Sequence, residues 1–121
     1  MLAPKELRHS PRIEVPALHV EMTRSGVTLR GNISSGGVGF EIESAHRLRI
    51  GDAITVRVQI PEFDEAVELD AVVCHVQHAV GRRRQYVGAR FDGVDELLLY
   101  PLDRWVEESA LLDATRSISV H

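Results

Sequence analysis

Cysteine, lysine and aromatic residues are scarce in this sequence, and each scarcity excludes something. The only cysteine, Cys74, can form no internal disulfide and no thiolate metal cluster, so a reducing compartment is the expected setting. Aromatic residues are 5% of the chain, and Phe40 and Phe91 fall in core-forming positions. A small barrel that stacks RNA bases on exposed strand aromatics is therefore disfavoured. No stretch approaches the ~20 apolar residues needed to span a membrane. The first residues carry charges at Lys5, Glu6 and Arg8 and prolines at Pro4 and Pro11, which leaves no apolar secretion signal, so a cytoplasmic protein is expected. The net charge of −4 argues against a broad basic surface for duplex DNA, so any anion site must be local.

Catalytic signatures are missing as well. There is no Gly-x-Ser-x-Gly elbow, no phosphate-binding Walker loop and no dinucleotide fingerprint. The six histidines, His9, His19, His46, His75, His78 and His121, show no metal-ligand spacing, and the acidic run Glu62, Asp64 and Glu65 reads as solvated loop charge. Cys74 sits in a predicted strand, where a structural thiol is expected. Neither an enzyme nor a metal or cofactor protein is indicated.

What remains is ordinary for one soluble domain: 121 residues, 44% hydrophobic and 26% charged. All the basic residues except Lys5 are arginine, whose planar fork grips phosphate bidentately and stacks on flat bases.

The apolar pattern predicts strands. Residues 1–12 read as an irregular arm. Ile13 and Val15, and after Pro16 Leu18, Val20 and Met22 on the other parity, predict a strand with a bulge at the proline. Thr23-Arg24-Ser25-Gly26 turns into a second strand with Val27, Leu29 and Ile33. Val38, Phe40 and Ile42 mark a third, and Gly51-Asp52 punctuates the next connection. Ile54, Val56, Val58 and Ile60 mark a fourth that stops at Pro61. The fifth begins with Val67, Leu69, Ala71 and Val73 and then becomes apolar on both parities through Val72, Cys74 and Val76, as a strand covered on both faces would. Gly81-Arg82-Arg83-Arg84 reads as a hairpin tip leading to a sixth strand with Val87, Ala89 and Phe91. From Asp95 the period becomes helical, with Leu98, Leu102, Trp105 and Val106 on one side and Pro101 starting or kinking the helix. Leu97, Leu99, Leu111 and Leu112 give that helix a second apolar character. The expectation is a mainly β protein, a six-stranded antiparallel barrel over residues 13–112 with its C-terminal helix, an arm at 1–12 and a tail at 113–121.

Two stretches could carry chemistry. Arg8-His9-Ser10-Pro11-Arg12 places two arginines four apart on the arm; extended, they would sit ~13 Å apart and grip different phosphates unless the arm curls, and incidental solvated charge is the other reading. Asn32-Ile33-Ser34-Ser35-Gly36-Gly37 follows at a strand end. Its Asn and Ser can cap turn amides or offer polar atoms to a ligand, and its glycines suit either close backbone approach or a plain connection needing positive φ.

Together, Arg8-x-x-x-Arg12 and Asn32-x-Ser34-x-x-Gly37, in that order, resemble the PilZ domain family, whose pattern is Arg-x-x-x-Arg and then Asp or Asn-x-Ser-x-x-Gly. The resemblance runs from about Leu7 to Val106 and includes the closing strand Tyr86-Val87-Gly88-Ala89-Arg90-Phe91. It implies a six-stranded barrel that binds the bacterial second messenger cyclic di-GMP. Arg8 and Arg12 would clamp phosphate and guanine, Asn32 and Ser34 would read a base, and Gly36 and Gly37 would let backbone approach. His75 falls where some members place an aromatic, although a strand histidine with local hydrogen bonds is the first expectation. Position 32 is Asn where many members have Asp, which keeps an acceptor and loses a charge. The implied function is a single-domain receptor whose ligand orders the arm and alters contacts with a protein partner. The alternative is a PilZ-like interaction module with weak or no nucleotide binding. Arg82-Arg83-Arg84 is a further basic cluster, read first as a solvated turn.

Overall fold

The computed structural model describes residues 11–79, 81 and 83–119, with side chains to Asp113. The expected architecture is observed. Six strands, β1 (Ile13–Glu21), β2 (Gly26–Ile33), β3 (Gly37–Glu43), β4 (Ala53–Val58), β5 (Val67–His78) and β6 (Arg84–Phe91), are followed by α1 (Glu96–Ser119). The strands close into a barrel in the order β1-β2-β3-β6-β5-β4, antiparallel at every seam. Closure leaves no exposed sheet edge to aggregate.

Alternation decides which side chains enter the barrel. Leu18, Val20, Ile33, Phe40, Val56 and Val87 are fully enclosed, while Glu41, Glu43 and Arg57 face water. The register of β1 on β2 slips between Val15 and Leu18, so the bulge expected at Pro16 is present and returns Leu18 to the core.

The double-parity run of β5 has a different origin from the one expected. Val73 pairs with Ala89 and His75 with Gly88, which makes Cys74 an extra residue, a second bulge. The bulge flips the inward parity: Val73 is buried before it, and Val76, opposite Val87, packs against the core after it. Cys74 is consequently exposed rather than a covered structural thiol.

The antiparallel order places the β2–β3 and β4–β5 connections and the start of β1 at one end of the barrel, and the other three strand connections at the opposite end. α1 covers the first of these ends. Leu102 and Val106 are buried in the barrel core, Leu98 and Trp105 pack against it, and Arg104 bonds Glu62 of the β4–β5 connection at 2.7 Å. Asp95 caps the helix, its Oδ1 accepting the Leu97 N–H at 2.9 Å. With that cap supplying the start, the helix begins ahead of Pro101 and runs through it; the carbonyl left without its N–H partner belongs to Leu97, which is exposed to water. The helix continues to Ser119, past the Asp113 boundary expected for a tail. Leu97, Leu111 and Leu112 lie exposed on it, and no helix among the described residues is long and apolar enough to cross a membrane.

Candidate functional site

Hairpin register brings the two motifs together. Ile13 pairs with Ile33 and Glu14 with Asn32, so Arg12, one residue before β1, lies beside the end of β2. The Arg12 guanidinium donates to Asn32 Oδ1 at 2.6 Å across 20 residues of chain. Arg12 and Asn32 are thus in direct contact, while Arg8 lies outside the described residues. Both side chains point away from the core, where their neighbours Ile13 and Ile33 point in.

Ser34 is placed differently. It is only 5% exposed, and its hydroxyl accepts the N–H groups of Gly36 and Gly37 at 3.2 Å each, while its own N–H donates to the Gly37 carbonyl at 2.9 Å. Of the two uses open to this serine, the observed one is capping of the turn. Neither glycine of the turn has positive φ; among the described glycines that conformation occurs at Gly51, Gly81 and Gly93. Gly37 is needed for a different reason, since a Cβ there would run into the Ala89 carbonyl of β6. Gly36 has open space where a side chain would stand.

The outer face of β3 and β6 completes the site. Gly39 pairs with Gly88, so neither strand adds a side chain of its own at that pair, and the floor is open at Gly88 and covered by Tyr86 at Gly39. Around it a cavity of about 340 Å³ is lined by Arg12, Ser34, Gly37, His75, Tyr86 and Arg90. A neighbouring depression of about 370 Å³ holds Arg30, Asn32, Gly39 and Arg84, and Tyr86 borders both. The Tyr86 hydroxyl covers Gly39, where a Cβ would overlap it and come within 3.1 Å of Asn32 Oδ1. His75, exposed beside the β5 bulge, meets the Tyr86 ring edge-on with centroids 6.3 Å apart. No hydrogen bond holds His75 among the described residues, so it lacks the local partner expected of a strand histidine. Arg84 is committed elsewhere, to Glu41 Oε1 at 2.8 Å.

Sequence reading missed Arg90, Tyr86, Gly39 and Gly88. The available signal was parity, since Tyr86, Gly88 and Arg90 alternate with the buried Val87 and Ala89 and so share the outward face. The arrangement offers an anion two guanidinium groups that make no ion pair among the described residues, Arg12 and Arg90, near an open backbone, with a flat ring beside it. A larger depression, about 590 Å³ and lined by Glu21, Asp70 and Asp92 with no arginine, has the wrong sign for a phosphate.

A PilZ domain family model matches residues 6–108, and the chain belongs to that family. No curated protein matches it in sequence. Among solved structures it is similar to the Bacillus subtilis inhibitor of motility (MotI/DgrA), with TM-score 0.69 and 17% identity over 86% of this chain and 51% of that one. It is also similar to Escherichia coli YcgR in complex with c-di-GMP, with TM-score 0.67 and 18% identity over 94% of this chain and 50% of that one. The PilZ domain of the same YcgR with c-di-GMP gives TM-score 0.63 and 19% identity over 93% of this chain and 97% of the domain. The chain therefore spans about half the length of the first two proteins, and the shared feature is the fold.

Proposed function

We propose that this chain is a receptor domain for cyclic di-GMP, binding it without chemical change at the barrel end marked by Arg12 and Asn32. The contact between those two residues carries the reading, because it joins the arginine motif to the second motif at the edge of a glycine-floored cavity. Two structures of one relative, YcgR, hold c-di-GMP, which supports the same ligand class here. Arg12, with Arg8 from outside the described residues, supplies phosphate and guanine contacts, and Arg90 adds a third cation. Asn32 presents its amide to a guanine edge. Ser34 positions the loop, and Gly36 and Gly37 leave backbone open to the ligand. The nucleotide holds residues 5–12 against the barrel, and the altered surface engages a protein partner. Equal hydrogen exchange at residues 5–12 with and without saturating ligand would refute that switching step.

The direct test is calorimetric titration of cyclic di-GMP into wild type and Arg12→Ala. Losing a charge-assisted contact of ~2–3 kcal/mol weakens binding about 30- to 150-fold. A second reading, a PilZ interaction module with little nucleotide affinity, draws on the same bond: Arg12 and Asn32 already satisfy each other, and a ligand must displace that contact. Absence of heat with wild type at high ligand concentration would select this second reading.

A further inference from the structure

The end of the barrel opposite the candidate nucleotide site carries a group of exposed arginines. Three connections meet there: residues 22–25, 44–52 and 79–83. They form one rim, since the Ser44 N–H donates to the Arg83 carbonyl at 2.8 Å, and Arg24 and His46 line the same cavity of about 320 Å³. Arg24, Arg47, Arg49 and Arg83 are all exposed, and none makes an ion pair among the described residues, whereas Arg57, Arg84 and Arg104 do. The acids at this rim are Glu21, Glu43 and Asp52; Glu21 faces His19 and Arg57, and the Asp52 carboxylate accepts the Arg49 N–H at 2.8 Å. Much of the remaining acid lies elsewhere, with Glu62, Asp64, Glu65, Asp95 and Glu96 at the other end of the barrel and Asp70 and Asp92 beside Glu21 in the depression that adjoins this rim at Met22, Thr23 and Ala53.

Two further features separate this rim from ordinary solvated charge. Ile50 stands 69% exposed between Arg49 and the turn at Gly51, while Leu48 is buried beneath it. Arg47 adopts φ 54°, the only left-handed conformation of a non-glycine among the described residues, held by its N–H bond to the Ser44 carbonyl at 2.9 Å. Glycine or asparagine would take that conformation more readily, so the arginine is kept against local preference. The cavity beside it is lined by Met22, Leu48 and Ala53 together with the polar Thr23, Ser25 and Asp52, and is bordered by Arg24 and His46.

From this geometry we propose that the arginine rim is a docking surface for an acidic protein segment, one that seats an aliphatic residue in the Met22–Leu48 cavity and sets flanking carboxylates on Arg24, Arg47 and Arg49. A concave cavity with both apolar and polar walls, next to forked cations, fits a peptide, whereas a lipid surface needs only the charge. The surface rests on the proposed function only in supposing a protein partner. It lies at the far end of the barrel from Arg12, so the two readings can fail separately.

The test is an array of synthetic 12-residue peptides in which the number of Asp and Glu residues and the identity of one central residue vary independently. The expected result is binding that rises with acid count, requires a central aliphatic residue, weakens several-fold between 0.05 and 0.3 M salt, and falls at least tenfold in Arg47→Glu/Arg49→Glu. That variant retains wild-type cyclic di-GMP titration. If it fails to fold, Arg24→Glu, on a separate loop, carries the same comparison. Arg47→Gly relieves the left-handed residue and raises the melting temperature by ~3 °C while weakening peptide binding, a pairing that a purely structural arginine would not produce. No binding across the array, equal binding by wild type and Arg47→Glu/Arg49→Glu, or pelleting with phosphatidylglycerol vesicles in place of peptide binding would each overturn the proposal, the last in favour of a membrane surface.

Discussion

Arg12 and Asn32, 20 residues apart, meet at 2.6 Å on the outside of the barrel, each serving as the other's hydrogen-bond partner. The bond ties the residue entering β1 to the end of β2, so a ligand that reaches either side chain also acts on the path of the chain before β1. Because the contact is solvent-exposed, it is inexpensive to exchange for a stronger partner.

Asn32→Asp should tighten cyclic di-GMP binding. A carboxylate accepts from both donors of a guanine edge, and a charged acceptor gains ~1 kcal/mol over a neutral one, about fivefold in affinity. The exposed contact to Arg12 gains less, since water competes there. Calorimetry on the two proteins decides it, and unchanged or weaker affinity would remove Asn32 from the base-reading role.

Two glycine substitutions should separate fold from site. Gly37→Ala drives a methyl into the Ala89 backbone carbonyl, which cannot move without opening the β3–β6 seam, and should cost about 2–3 kcal/mol in urea unfolding. Gly39→Ala meets the far end of the Tyr86 side chain, which can swing away. Stability should then change by less than ~1 kcal/mol while nucleotide affinity falls, because Tyr86 and the Asn32 carbonyl are both displaced from the cavity.

Leu102→Ala tests the helix. Leu102 is completely enclosed where α1 covers the barrel, and its truncation should lower stability by about 2–5 kcal/mol, read from the denaturation midpoint at unchanged slope. Leu97→Ala, on the exposed side of the same helix, should change little.

Helix stability should also respond to pH through Glu107. The Asp103 carboxyl one turn earlier bonds Glu107 and repels its charge, holding Glu107 above its ordinary value. A raised carboxylate favours the protonated folded state, so its contribution is fully present below the unfolded value and is lost as pH rises through the folded one. Glu107→Gln should therefore melt higher than wild type at pH 7, with the difference shrinking once the medium is acidic enough to protonate Glu107. A difference independent of pH would contradict this.

Much of the fold was legible because a two-residue period with Gly and Pro punctuation is a local property. Pro16 announced its bulge through the parity change from Val15 to Leu18. The same kind of change at Val73 to Val76 was read as a doubly covered strand, since Cys74 counts as apolar and no proline marks the slip. Pro101 was read as a starting or kinking residue because proline position alone does not reveal that Asp95 caps the helix six residues earlier. At the candidate site, Arg12, Asn32 and Gly37 were proposed from the family pattern, whereas Arg90 and Tyr86 were hidden among thirteen arginines and a barrel strand until pairing set their face.

The sequence by itself determined the strand periodicity, the terminal helix and the two polar motifs, because these depend on residues within a few positions of one another. Tertiary structure decided which of those residues meet. Closure of the barrel and the register of β1 on β2 carried Arg12 to Asn32, the passage of β6 against Gly37 gave that glycine its purpose, and the Gly39–Gly88 pair opened a floor that neither strand contains alone. Such contacts depend on relative strand position, which follows from the packing of the whole core and is not encoded in any one segment.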